Sequence, residues 1–208
     1  MGEVQKNENS YEDDVWLNDV WKLRFHDPFD DDWTHQSYIS LTDVGSVIDF
    51  WNVHNIIKEK YKQGMFFLMR ESIFPSWDDP ANVTGGQVSI KILKENVATY
   101  VEEICISMLG ENLLREEYKH DWAVVNGISL SAKRYFSILK IWVSNCDYNE
   151  IKFFNLPENH HGDIIFRPSI DNIQHNHENG TDKKHSDLSE PRKEGHEKFK
   201  FTRRDHKH

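Results

Sequence analysis

Seven short apolar segments punctuate this chain, and their spacing constrains the fold more than any other feature. They run Val20–Phe25, Tyr38–Leu41, Met65–Met69, Val88–Leu93, Ala123–Ile128, Tyr135–Val143 and Ile164–Arg167. Each is too short for a typical helix, rich in β-branched or aromatic residues, and bounded by Gly, Pro or Asp clusters such as Gly85-Gly86. Two stretches read as helices. Ser46–Tyr61 opens with Ser46 and Asp49 in a capping-box arrangement, and Val97–Leu109 follows Asn96 and stops at Gly110. A weaker helix is expected from Asp147. Strands outnumber helices and do not alternate with them, which predicts an α+β domain on a mostly antiparallel sheet.

The charge pattern excludes one broad class. The formal net charge is −10, and residues 1–175 hold 16 basic against 28 acidic side chains, so no wide basic face is available to coat nucleic acid. Any nucleic-acid contact must be local and shaped. Cys105 and Cys146 have no pairing spacing, as expected of thiols in a reducing compartment. The polar N-terminus lacks a signal-peptide core and no apolar run approaches the ~20 residues of a membrane span, which predicts a soluble, cytoplasmic protein. Residues 1–14 and the mixed-charge segment 172–208 read as largely disordered tails around one domain, 15–171.

Two tryptophans stand in unusual company. Trp33 follows Asp30-Asp31-Asp32, and Trp77 lies between Pro75-Ser76 and Asp78-Asp79-Pro80. A large flat ring on a polar loop is poor core material but a good stacking surface, and an adjacent carboxylate adds a hydrogen-bond acceptor. The pair predicts a flat, cationic, hydrogen-bond-donating ligand. On the first helix Phe50, Val53 and Ile57 can face the sheet, leaving Val47 and Trp51 on another side. In the second, Val97, Tyr100, Val101, Ile104 and Met108 form one stripe, with Glu102, Glu103 and Ile106 off it. An apolar patch rimmed by acids suits an amphipathic partner helix.

Set in order, these landmarks resemble the eukaryotic translation initiation factor 4E family, the proteins that bind the 7-methylguanosine cap of mRNA. The resemblance spans roughly residues 15–168. It rests on Trp21-Lys-Leu-Arg-Phe25, Trp33, Val47-Ile-Asp-Phe50-Trp51, Ile73-Phe-Pro-Ser-Trp77-Asp78-Asp79, Gly85-Gly86, Leu109-Gly110-Glu111, Ala123-Val-Val-Asn126 and Leu139-Lys-Ile-Trp142. It implies a curved sheet of about eight strands with about three helices on its convex face. It also implies that Trp33 and Trp77 sandwich the methylated base, Asp78 reads its edge and Trp142 meets the methyl group. N7 methylation makes guanine cationic, so the sandwich gains cation–π attraction, and a carboxylate selects the donor edge of guanine.

Departures from the family pattern concentrate on the phosphate side. Gln87 stands where the family carries Arg after Gly-Gly, and Asp78 is one methylene shorter than the family's Glu, so the base must shift, the loop must move inward, or Asp79 must help. The segment from Asn126 to Lys140 reads as an insertion with a longer loop, and Lys133, Arg134 and Lys140 are the candidates for the triphosphate. Trp51 matches the tryptophan that grips a Tyr-x4-Leu-φ helix of a 4G-type scaffold or a 4E-binding repressor, with Val47, Glu103 and Ile106 as neighbours. Glu102 replaces an apolar family residue, and Val15-Trp16-Leu17 replaces His-Pro-Leu. The resemblance implies a monomer that initiates translation; the alternative is a cap-binding repressor that does not engage the scaffold. Gly-x-Ser-x-Gly, P-loop and Gly-x-Gly-x-x-Gly patterns are absent, and Arg115-Glu116-Glu117 alone approaches the clustered glutamates of a cap hydrolase, so no catalysis is expected. His160-His161 and His175-x-His177 lack zinc spacing, and neither metal nor cofactor is expected.

Overall fold

A computed structural model describes residues 14–158 and 164–178. Its seven strands are β1 (Trp16–His26), β2 (Ile39–Ser46), β3 (Met65–Arg70), β4 (Gly86–Leu93), β5 (Val125–Ala132), β6 (Phe136–Val143) and β7 (Ile165–Pro168). They form one antiparallel sheet in the order β2-β1-β3-β5-β6-β4-β7. The helices are α1 (Val47–Ile57), α2 (Val97–Leu109) and α3 (Ser169–Glu178).

The period-2 alternation of the strands sorts their side chains onto two faces. Leu23, Phe25, Phe66, Leu68, Ile128, Leu130, Leu139, Ile141, Val88 and Ile90 are buried in the main core with α1 and α2. Helix α1 contributes Phe50, His54 and Ile57, and α2 contributes the expected stripe together with Cys105 and Leu109. Ser46 caps α1 as expected, its Oγ accepting from the Asp49 amide at 3.1 Å, while the Asp49 carboxylate accepts from Gly45 N. The opposite face carries a second, smaller cluster of Phe67, Met69, Ile73 and Trp142. Gly85 permits the turn into β4, because a Cβ there would sit 1.7 Å from the Val143 carbonyl oxygen.

Three expectations fail at the level of elements. No helix starts at Asp147; the Asn145 side chain accepts the Asp147 amide in a local turn, and a short 3-10 turn follows at Ile151–Phe153. The third helix instead begins at Ser169 and crosses the boundary expected at 171, with Asp171 in its first turn. The long loop expected between Asn126 and Lys140 does not exist: β5 and β6 pair as far as Ala132 and Ser137, closed by Lys133-Arg134-Tyr135. Serines and a glycine disguise that strand, since Gly127, Ser129 and Ser131 alternate with buried Ile128 and Leu130. Residues 1–13 and 179–208, including most of the expected tails, and His160-His161 lie outside the described residues.

Candidate functional site

The face opposite α1 and α2 is organised as transverse rows. One row runs Lys22, Met69, Gly127, Trp142, Gln87, Arg167; the next runs Arg24, Phe67, Ser129, Lys140, Ser89, Ile165. Directly paired residues share a face, so both rows present their side chains on the same side as the small cluster. Trp142 is buried there, 4% exposed, and its indole N–H donates to Ser129 Oγ at 2.9 Å. The half-buried Trp33 and Trp77 pack against the same cluster. Three tryptophans from distant segments thus converge on one patch.

The loop of Trp33 is fixed by aromatic contacts. His26 stacks on the Trp33 ring at 4.0 Å with 6° between planes, and His26 Nε2–H donates to the Asp32 carbonyl at 2.7 Å. Asp32 accepts from the amide and hydroxyl of Thr34, and those bonds hold its carboxyl below the usual range. His35 then stacks on Phe74 at 3.7 Å, and Tyr38 meets both Phe67 and Phe74 edge-on. Arg24 reaches the Ile73 carbonyl and lies over the Phe74 ring. These contacts join the Trp33 loop to the Trp77 loop.

The Trp77 loop is held from beneath by side-chain amides. Asn82, 1% exposed, donates to the carbonyls of Phe74 and Ser76. Asn126, on β5, donates to the Ala81 carbonyl and to Asn82 Oδ1. Asp79 accepts from the Phe74 and Ala81 amides, so both its oxygens are committed to the loop. Asp78 is exposed beside Trp77, with Ser76 Oγ donating to its carboxylate. Asp78 thus faces solvent while Asp79 is a structural ligand of the loop. Sequence reasoning missed Asn82 and Asn126; a buried Asn beneath a polar loop leaves no pattern in a single chain.

The expected cations divide by position. Lys140 lies one row from Trp142 on the same face, roughly 7 Å along the strand at ~3.4 Å per residue. Lys133 and Arg134 occupy the hairpin tip, about 20 Å from Trp142 by the same rise. Lys22, on the same face but toward the β2 edge of the sheet, is engaged by Asp43 and Glu71.

The opposite surface carries the other expected set. Trp51 is 36% exposed, with Val47 at 37% and Ile106 at 48%, and Glu103 is exposed on α2. Beneath Trp51, the buried His54 donates from Nε2 to Glu102 at 2.8 Å and accepts the Tyr61 hydroxyl at Nδ1. Burial lowers the His54 pKa below its ordinary value, against the raising effect of Glu102. Val15 and Trp16 are exposed where the chain meets α1, the Val15 carbonyl accepting from Val47 N. Among the described residues no group of three or more His, Cys, Asp or Glu side chains could hold a metal, and no helix is long and apolar enough to cross a membrane.

Helices α1 and α2 pack on one face of the antiparallel sheet, and three tryptophans gather in the cluster on the other, the architecture of an α+β protein with one open sheet. The model of the family Eukaryotic initiation factor 4E matches residues 16–191. The chain belongs to the eukaryotic initiation factor 4E family. It is 26% identical over 147 residues to eukaryotic translation initiation factor 4E of Candida albicans, a match covering 65% of this chain and 68% of that protein. It is 33% identical over 78 residues to translation initiation factor NCBP of Oryza sativa, covering 38% of this chain and 32% of that one. Ascaris suum eIF4E-3 in complex with m7G cap shares the fold, with a TM-score of 0.56 and 18% identity over 64% of this chain and 75% of that one. So does C. elegans eIF4E-3 in complex with the 4E-binding protein Mextli, at 0.57 and 19% over 64% and 78%.

Proposed function

We propose that this chain binds the 7-methylguanosine cap of mRNA between Trp33 and Trp77 and recruits a scaffold of the 4G type to start translation. The observation that carries the reading is the convergence of Trp33, Trp77 and Trp142 on the cluster opposite the helices. Solved relatives of the same fold hold a cap or a 4E-binding protein. The cationic base stacks on Trp33 and on Trp77, each stack contributing ~1–3 kcal/mol. The Asp78 carboxylate accepts the guanine N1–H and 2-amino donors, and Trp142 floors the methyl end of the slot. Lys140 meets the nearest phosphate, while Lys133 and Arg134 at the hairpin tip follow the phosphate chain or the RNA beyond it. Family membership makes the chain a binding factor and not an enzyme.

On the other surface, Val47, Trp51, Glu103 and Ile106 form the seat for an amphipathic Tyr-x4-Leu-φ-like helix. The exposed Val15 and Trp16 and the His54–Glu102 pair favour keeping a second reading, a cap-binding repressor that does not engage the scaffold. Retention on 7-methyl-GTP resin, with GTP resin as control and a 4G-type peptide titrated in parallel, tests both. Trp33→Ala and Trp77→Ala are expected to lose retention while staying folded by circular dichroism; unchanged retention overturns the cap site. A wild-type protein that holds the cap but ignores the peptide favours the repressor.

A further inference from the structure

Gln87 stands on β4, next to the edge of the sheet, directly between Trp142 and Arg167 in its row, yet it is 2% exposed. Both ends of its amide are spent on α3. Its Nε2 donates to Ser169 Oγ at 2.9 Å, and its Oε1 accepts from Asn172 Nδ2 at 3.3 Å. The Ser169 amide in turn donates to the Gly85 carbonyl at 2.8 Å. Releasing Gln87 toward a ligand would leave buried polar groups on α3 without partners, which is costly. Gln87 is therefore the anchor of the third helix and is withdrawn from the ligand.

The same anchor fixes what stands next to it. Arg167 is the register partner of Gln87, exposed, two residues before the clamped Ser169, and followed by Pro168, which stiffens the backbone. It shares the face of Trp142 at a lateral distance of about 10 Å, two strand spacings away. Lys140 and Arg167 stand diagonally across Ser89 on this face, and Lys91, exposed one row further on β4, extends the basic set. A phosphate chain leaving a base held over Trp142 would run onto this set. We infer that Arg167 on edge strand β7 is a phosphate-contacting residue for the 5′-phosphate chain, in place of the side chain at position 87. A guanidinium stays charged at all relevant pH and binds phosphate oxygens in pairs.

This inference rests on the cap-binding reading. Binding of 7-methylguanosine and of 7-methyl-GTP is measured by tryptophan quenching for the wild type, Arg167→Gln and Gln87→Arg, across a salt series. Arg167→Gln is expected to lower 7-methyl-GTP affinity roughly five- to tenfold and leave the nucleoside within about twofold. Its loss of 7-methyl-GTP affinity with rising salt should be shallower than the wild type's, because one screened charge pair fewer remains. Gln87→Arg should lower the melting temperature and gain no affinity, because it breaks the α3 anchor. Unchanged 7-methyl-GTP binding in Arg167→Gln, an equal loss for nucleoside and triphosphate, or tighter binding by a fully stable Gln87→Arg each overturns the inference. A wild type that binds neither ligand overturns the cap-binding reading itself.

Discussion

At the scale of single residues, the chemistry of a position depends on what lies beneath it. Asp78 and Asp79 are indistinguishable as sequence, yet one carboxylate faces solvent beside Trp77 and the other holds two loop amides. Asp78→Asn should therefore reduce discrimination of 7-methyl-GTP from its adenine counterpart by about tenfold, with little change in melting temperature. Asp79→Ala should lower the melting temperature and weaken both ligands together, and equal behaviour of the two variants would remove the distinction. His54 illustrates the same dependence through pH. Its lowered pKa means that the unfolded chain binds a proton the folded chain refuses, so its contribution to stability is present above the ordinary His value of 6.5 and is lost as pH falls below it. Thermal unfolding between pH 7.5 and 5 should show a steeper loss for the wild type than for His54→Gln. The surroundings of Trp33, Trp77 and Trp51 were legible because a large ring among carboxylates or on a polar face is conspicuous. Those of Gln87, Asn82 and Asn126 were not, because an amide declares its partners only when the fold supplies them.

At the scale of elements, legibility followed how locally each one is determined. Helix α2 matches its expected bounds, Val97–Leu109, because its stripe and the terminal Gly110 lie within the segment. Helix α1 matches at its N-terminus, where Ser46 caps Asp49 N; Ser46→Ala should cost about 1 kcal/mol in urea unfolding, and a loss below ~0.3 kcal/mol would mean that the Asp49–Gly45 bond carries the cap alone. Strand β5 escaped because the face it turns away from α1 and α2 carries Gly127, Ser129 and Ser131, residues that read as loop until Ile128 and Leu130 are seen between them in the main core. Gly127 also has φ +154°, and a Cβ there would lie 2.4 Å from the Leu68 carbonyl oxygen. Gly127→Ala should therefore lower the melting temperature by several degrees, whereas Ser131→Ala on the same strand should not. Helix α3 escaped because its stabilisation is tertiary: the Gln87 clamp lies more than eighty residues upstream.

At the scale of the whole molecule, the sheet separates two clusters that share no side chain among the described residues. Trp77 packs on the cluster of Phe67 and Trp142, and Trp51 on the helices of the other face. Trp51→Ala is expected to abolish capture of a 4G-type peptide while retention on cap resin stays within about twofold; joint loss of both would mean that the two faces are coupled. His35 on Phe74, Tyr38 against Phe67 and Phe74, and the Asn82–Asn126 pair join the proposed walls through contacts made by this chain alone. Such a site behaves as a lock already cut, so association should follow a single exponential whose rate rises linearly with ligand concentration, with no plateau from a slow closing step. Variants that loosen the loops, such as Asn82→Ala, should then lengthen the search for the bound shape and introduce that plateau, while ring deletions act on residence time alone.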